Sequence, residues 1–301
     1  MNFTRIPASP DAGAMVLAEI RAMQSEPPVL PADADLTALL PHTGGIPGTW
    51  VTAPRESAAD EVSAYGVTVY VHGGGFEYTN PHLEQVMAYR LSQVTGRPVL
   101  AVDYRLAPAH RYPAALEDVV SAYRSLLAQG VPASRIILAG ESAGATLVLS
   151  ALLVLEQTGD ALPAGALAIS PQTDLTLSSP SIDANDGQDV INRAVLDHVR
   201  TQYLADARPD QAPQSPLHGD LRGLPPLLVV AGSKEVLLDD ARRFAEAVSD
   251  AAGTVSLDIY DGMPHAFHAS VVGADPLPTA VTLLRRVREW SSSLAVQDHA
   301  S

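Results

Sequence analysis

Residues Arg135–Val154 read RIILAGESAGATLVLSALLV. An apolar stretch, Ile136–Ala139, runs into Gly140-Glu141-Ser142-Ala143-Gly144, and a helix-forming run follows. Strand, glycine-bounded turn and helix in direct succession are the context in which G-x-S-x-G holds a serine at a sharp bend. Gly140 and Gly144 leave room where larger side chains would meet neighbouring backbone. The helix N-terminus beneath Ser142 offers a positive dipole to a developing oxyanion. With 21 glycines in 301 residues, the bare pattern arises by chance in about one chain in ten, so the flanking strand and helix carry the weight.

Outward from this turn, apolar runs with β character alternate with helix-period segments. Strands are expected at Gly66–His72, Pro98–Asp103, Arg135–Ala139, Ala166–Ser170, Pro226–Ala231 and Val255–Tyr260. Several are continuously apolar, such as Leu227-Leu228-Val229-Val230, which suits strands covered on both faces of a mostly parallel sheet. Between them, His82–Thr95, Ala114–Leu127, Leu237–Ser249 and Thr279–Leu294 carry apolar residues three and four apart. The alternation predicts an α/β fold with a doubly wound sheet and right-handed crossovers. Residues 1–45, with a helix-like Ala12–Met23, and residues 176–222, with a helical Val190–Leu204, break the repeat. They are expected to form a cap, the first as its N-terminal part and the second as an insertion in a catalytic domain spanning 46–301.

The chain is 47% hydrophobic and 18% charged, with a net charge of −15. That is enough apolar material for a large core. So acidic a surface disfavours nucleic acid and anionic membranes, and neutral substrates suit it better. There are no cysteines, which excludes disulfides, thiolate catalysis and cysteine-based zinc sites. No H-x-x-x-H or H-E-x-x-H spacing occurs, so neither metal nor cofactor is expected. The N-terminus lacks a basic start followed by a long apolar run, and no apolar run approaches the roughly 20 residues of a membrane span. A soluble, cytoplasmic protein is the expectation.

A second motif, His72-Gly73-Gly74-Gly75-Phe76, follows the strand Val67–Val71 and precedes Ser142 by about seventy residues, as an oxyanion loop should. Consecutive glycines free the backbone to aim N–H groups at one spot, which acyl transfer needs around its negative oxygen. His72 sits at the strand end and is expected to pin the loop by hydrogen bonding. A third stretch, Asp103-Tyr104-Arg105-Leu106-Ala107-Pro108 followed by Tyr112-Pro113-Ala114-Ala115-Leu116-Glu117-Asp118, completes the pattern. Together, over roughly residues 40 to 290, these resemble the hormone-sensitive-lipase-like esterases of the α/β-hydrolase superfamily, bacterial family IV. The resemblance implies an α/β-hydrolase fold with a helical cap, a short-chain carboxylic ester as substrate, and an oxyanion hole of Gly74, Gly75 and Ala143. It gives Asp103 and Arg105 a structural role. Family members are often dimers, which leaves a homodimer open.

The fold implies the chain order nucleophile, acid, base. After Pro226–Ala231 comes Gly232-Ser233-Lys234-Glu235-Val236-Leu237-Leu238-Asp239-Asp240. Glu235 stands where the family usually carries aspartate and lies nearest the strand end, so it is the expected acid. Asp239 is the rival, although an acid in the first turn of a helix commonly serves the dipole. After Val255–Tyr260 comes Asp261-Gly262-Met263-Pro264-His265-Ala266-Phe267-His268. His265 matches the family's catalytic base, and His268 is expected to be a structural or solvent-facing histidine. Ser142, Glu235 and His265 then form the expected triad. An amidase, lactonase or deacetylase with the same triad, a true lipase, and a non-catalytic small-molecule receptor are the alternatives.

Overall fold

The computed structural model describes residues 1–39, 47–54, 66–273 and 276–297. Its centre is a nine-stranded sheet. The strands are β1 (Asn2–Ile6), β2 (Asp35–Leu39), β3 (Gly48–Thr52), β4 (Val67–Val71), β5 (Val99–Val102), β6 (Ile136–Glu141), β7 (Gly165–Ile169), β8 (Leu227–Gly232) and β9 (Val255–Tyr260). Their spatial order is β1-β9-β8-β7-β6-β4-β5-β3-β2. The β2–β3 and β3–β5 pairs are antiparallel and the rest parallel.

Helices cover both faces: α1 (Ala12–Ser25), α2 (Pro81–Thr95), α3 (Ala114–Ala128), α4 (Ala143–Thr158), α5 (Ser181–Ala184), α6 (Arg193–Leu204), α7 (Leu238–Asp250) and α8 (Pro278–Gln297). Successive side chains on a strand point to opposite faces. Val67, Val69, Val71, Leu138 and Val229 therefore enter one core with Val119 and Tyr123 of α3, Leu149 of α4 and Phe244 of α7. Tyr70, Ile137, Leu167, Leu228 and Val230 enter the other with Tyr89 of α2 and Leu283 and Val287 of α8. A strand buried on both sides must be apolar at every position, which is why the central strands read as unbroken runs.

All six expected strands are present, with ends shifted by a residue or two. The N-terminal stretch differs from its expectation. Within residues 1–45, Asn2–Ile6 and Asp35–Leu39 are edge strands of the sheet rather than cap, and residues 40–45 lie outside the described residues. β1 pairs in parallel with β9, Asn2 opposite Ser256 and Ile6 opposite Tyr260. Its first four residues are exposed, so no buried face imposes an apolar pattern on it. α1 leaves this edge and packs against a short 3₁₀ helix, Phe267–Val272. Among the described residues no helix is long and apolar enough to cross a membrane.

Candidate active site

Ser142 occupies the step from β6 into α4, with φ +50° and ψ −121°. This conformation is strained for a residue with a Cβ. A close fit over-determines it. A side chain at Gly140 would strike the backbone of Gly144, and one at Gly144 would overlap the carbonyl oxygens of Val71 and His72. The Ser142 backbone N–H is used by Ile169 O at 2.8 Å. Its hydroxyl lies 2.9 Å from His265 Nε2.

His265 follows β9, three residues after Gly262, whose φ of +73° turns the chain. Its Nδ1 faces Glu235 Oε2 at 3.3 Å. Glu235, fully buried in the loop after β8, accepts at Oε1 from Ser170 Oγ at 2.7 Å and from Gly232 N at 2.5 Å. Hydroxyl, imidazole and carboxylate thus form one hydrogen-bonded line across three strand ends. The rival acid is elsewhere: Asp239 accepts from Ser181 N at 3.0 Å and pairs with Arg242 at 3.3 Å. Its neighbour Asp240 is buried, accepts from Thr173 N and Asp174 N, and is pushed up to about 6 by burial.

The glycine loop lies against this line. Gly74 (φ +100°) and Gly75 (φ +61°) adopt backbone angles that favour glycine, and a side chain at Gly74 would overlap Tyr78 O. Gly73 N donates to Glu141 Oε1 at 3.3 Å, which commits that N–H to the turn beside Ser142. His72 Nδ1 meets Gly73 O at 2.7 Å, and its ring stacks on Tyr104 at 4.2 Å. The Tyr104 hydroxyl donates to His72 O at 3.0 Å and Gly73 O at 3.2 Å. Arg105, beside it, pairs with Asp118 at 2.8 Å and fastens the chain leading into α3.

His268 departs from a solvent-facing placement. It is 5% exposed and forms an ion pair with Glu141, because the 3₁₀ turn folds it back beneath the loop. Burial alone would raise the Glu141 carboxyl, but the charge of His268 and hydrogen bonds from Tyr70 and Gly73 hold it at about 2. Glu141 is the free position of G-x-S-x-G, so the motif gave no sign of its contacts. Sequence reasoning also passed over Asp189, whose carboxylate meets the backbone of His265.

Ser142 opens on a cavity of about 590 Å³. Apolar side chains dominate its wall, among them Ile20 from α1, Leu83 from α2, Val195 and Val199 from α6, and Leu237. Among the described residues no cluster of histidine and carboxylate ligands could hold a metal.

A model of the alpha/beta hydrolase fold matches residues 68–269. An acetyl-hydrolase of Streptomyces hygroscopicus is 41% identical over 201 residues, 66% of this chain and 67% of that protein. An esterase of Acinetobacter venetianus is 35% identical over 241 residues, 79% of this chain and 78% of that one. Among solved structures, an esterase from the bacterial hormone-sensitive lipase family aligns with a TM-score of 0.84 at 34% identity. That alignment covers 95% of this chain and 99% of that chain.

Proposed function

Since the chain belongs to the alpha/beta hydrolase fold family, as a carboxylesterase of its hormone-sensitive-lipase branch, we propose that it cleaves short-chain acyl esters with Ser142 as nucleophile, His265 as general base and Glu235 as the acid behind it. The observation that carries this reading is the continuous line from Ser142 Oγ through His265 to Glu235, at 2.9 and 3.3 Å, at the mouth of an apolar cavity.

His265 Nε2 takes the Ser142 proton as Oγ attacks the ester carbonyl carbon. Glu235 orients the imidazole and stabilises the imidazolium. The negative oxygen is received by the backbone N–H groups of Gly74, Gly75 and Ala143. The engagement of Gly73 N by Glu141 supports the choice of the later two glycines. His265 then passes its proton to the leaving alcohol, and the C–O bond breaks to give the acyl-enzyme. Water, deprotonated by the same imidazole, attacks the acyl carbon and frees the acid and the serine.

Residues 176–222, together with α1, act as the cap that selects the substrate. Val195 and Val199 from the former and Ile20 from the latter wall the same cavity as Ser142. An apolar wall beside few polar groups suits a small neutral ester.

Labelling with a fluorophosphonate, alongside turnover of a short aryl ester and its matching anilide, tests the reading. The unaltered chain should label and hydrolyse the ester far faster than the anilide. Ser142→Ala should abolish labelling and lower kcat on the order of 10⁶-fold. An unreactive Ser142 would favour a receptor, and equal anilide turnover an amidase.

A further inference from the structure

The cap reaches both triad loops through one carboxylate. Asp189 stands between α5 and α6. Its Oδ1 accepts the backbone N–H of His265 at 2.6 Å and that of Val190 at 2.7 Å, and its Oδ2 accepts the backbone N–H of Val236 at 2.7 Å. His265 carries the imidazole, and Val236 adjoins Glu235. On their other side the two loops are joined by Lys234 N donating to Met263 O at 2.9 Å. Asn185 adds a second cap contact, donating to Glu235 O at 2.7 Å and Ser233 O at 3.3 Å. We propose that Asp189 is a positioning residue that holds the base loop and the acid loop in register and ties that register to the seating of the cap. The proposal rests on His265 being the base.

Two N–H donors from different loops converge on two oxygens of one side chain. A carboxylate accepts both, whereas an amide would turn one acceptor into a donor facing an N–H. The Nδ1–Oε2 separation of 3.3 Å is long for a charge-assisted bond, typically about 2.7–2.9 Å, so small loop movements make or break it. A misplacement of about 1 Å can cost on the order of 10²-fold in rate. Charge acts in the same direction. The carboxylates whose charge acts on the His265 ring are Glu235, Asp189 and Glu141, and Glu141 in turn meets His268. Asp189 thus adds to the field that favours the imidazolium. The same segment continues into Val190, Ile191 and Val195 on the cavity wall, so a substrate that settles the cap also settles the base.

Asp189→Asn, Asp189→Glu and Asn185→Ala should be compared on a short aryl ester across pH, with thermal melting to check the fold. For Asp189→Asn, kcat should fall about 10- to 100-fold with KM within about 3-fold, and the acidic limb of the profile should move to lower pH. Asp189→Glu keeps both acceptors and the charge, and should recover part of kcat and the original limb. Asn185→Ala should leave the limb in place. A folded Asp189→Asn protein with unchanged kcat and limb would overturn the proposal, as would equal effects from Asn185→Ala. Should Asp189→Asn not fold, amide hydrogen exchange in the unaltered protein decides: slow exchange at His265 and Val236 supports the clamp, and rapid exchange at either refutes it. His265→Ala with full turnover would instead refute the assignment of the base.

Discussion

Burial by itself would lower the affinity of the His265 ring for a proton, yet the hydrogen bond and charge of Glu235, then the charges of Asp189 and Glu141, raise it above the ordinary imidazole value. In the proposed mechanism the neutral ring accepts the Ser142 proton, so activity should rise as pH climbs through that raised value. Glu235→Gln removes the largest of the raising influences. Its acidic limb should therefore move to lower pH while kcat falls on the order of 10³–10⁴-fold. Asp239→Asn should leave kcat within a few-fold, because that carboxylate serves Ser181 N and Arg242. The reverse pattern in pH-dependent kinetics would move the acid to Asp239. That Ser142, Glu235 and His265 meet was legible because the fold implies their order along the chain and each follows a strand. Glu141 and Asp189 were not legible in this way. One fills a position the motif leaves free, and the other lies in an insertion with no repeating pattern. Their contacts exist only once distant loops meet.

The serine turn, as an element, is held by close packing among β4, β6 and α4. Thr146 N donates to Ser142 O at 3.1 Å and begins the helix ladder. The absent side chain at Gly144 lets the helix start press on the end of β4. Gly144→Ala should push these elements apart. Overpacking of this kind costs about 1–3 kcal/mol, which should lower Tm by about 2–5 °C in a chain this long. An unchanged melting curve would mean that the turn yields freely. The same elements explain which strands were legible. β4 to β8 lie between helix layers and are mostly apolar, and β9, though it carries Ser256 and Asp258, keeps Val255, Leu257, Ile259 and Tyr260 buried, so sequence marks them. β1 reads Asn2-Phe3-Thr4-Arg5-Ile6 and lies at the sheet edge. Only its pairing with β9, on a segment some 250 residues away, makes it a strand.

At the scale of the whole molecule, the ends of β6, β8 and β9 bring Ser142, Glu235 and His265 together while α1, α2 and α6 contribute side chains to the cavity wall. Val199 of α6 stands so close to the glycine loop that a Cβ at Gly75 would come within 2.9 Å of its Cγ2. Val199→Phe should narrow the acyl side of the cavity without touching the triad. Against an aryl acetate reference, kcat/KM for a hexanoate should drop at least about 10-fold, with fluorophosphonate labelling retained; an unaltered chain-length profile would place the acyl group elsewhere. The sequence by itself determined the alternating α/β order, the serine turn, the glycine loop and the placing of Ser142, Glu235 and His265 each just after a strand. Each is written in local pattern, where backbone angle and burial restrict residue type within a few positions. Tertiary structure alone decided the edge strands, the pairing of Glu141 with His268 and the grip of Asp189 on two loops. Those depend on side chains that become neighbours only when the sheet closes its order, and no spacing along the chain records that closure.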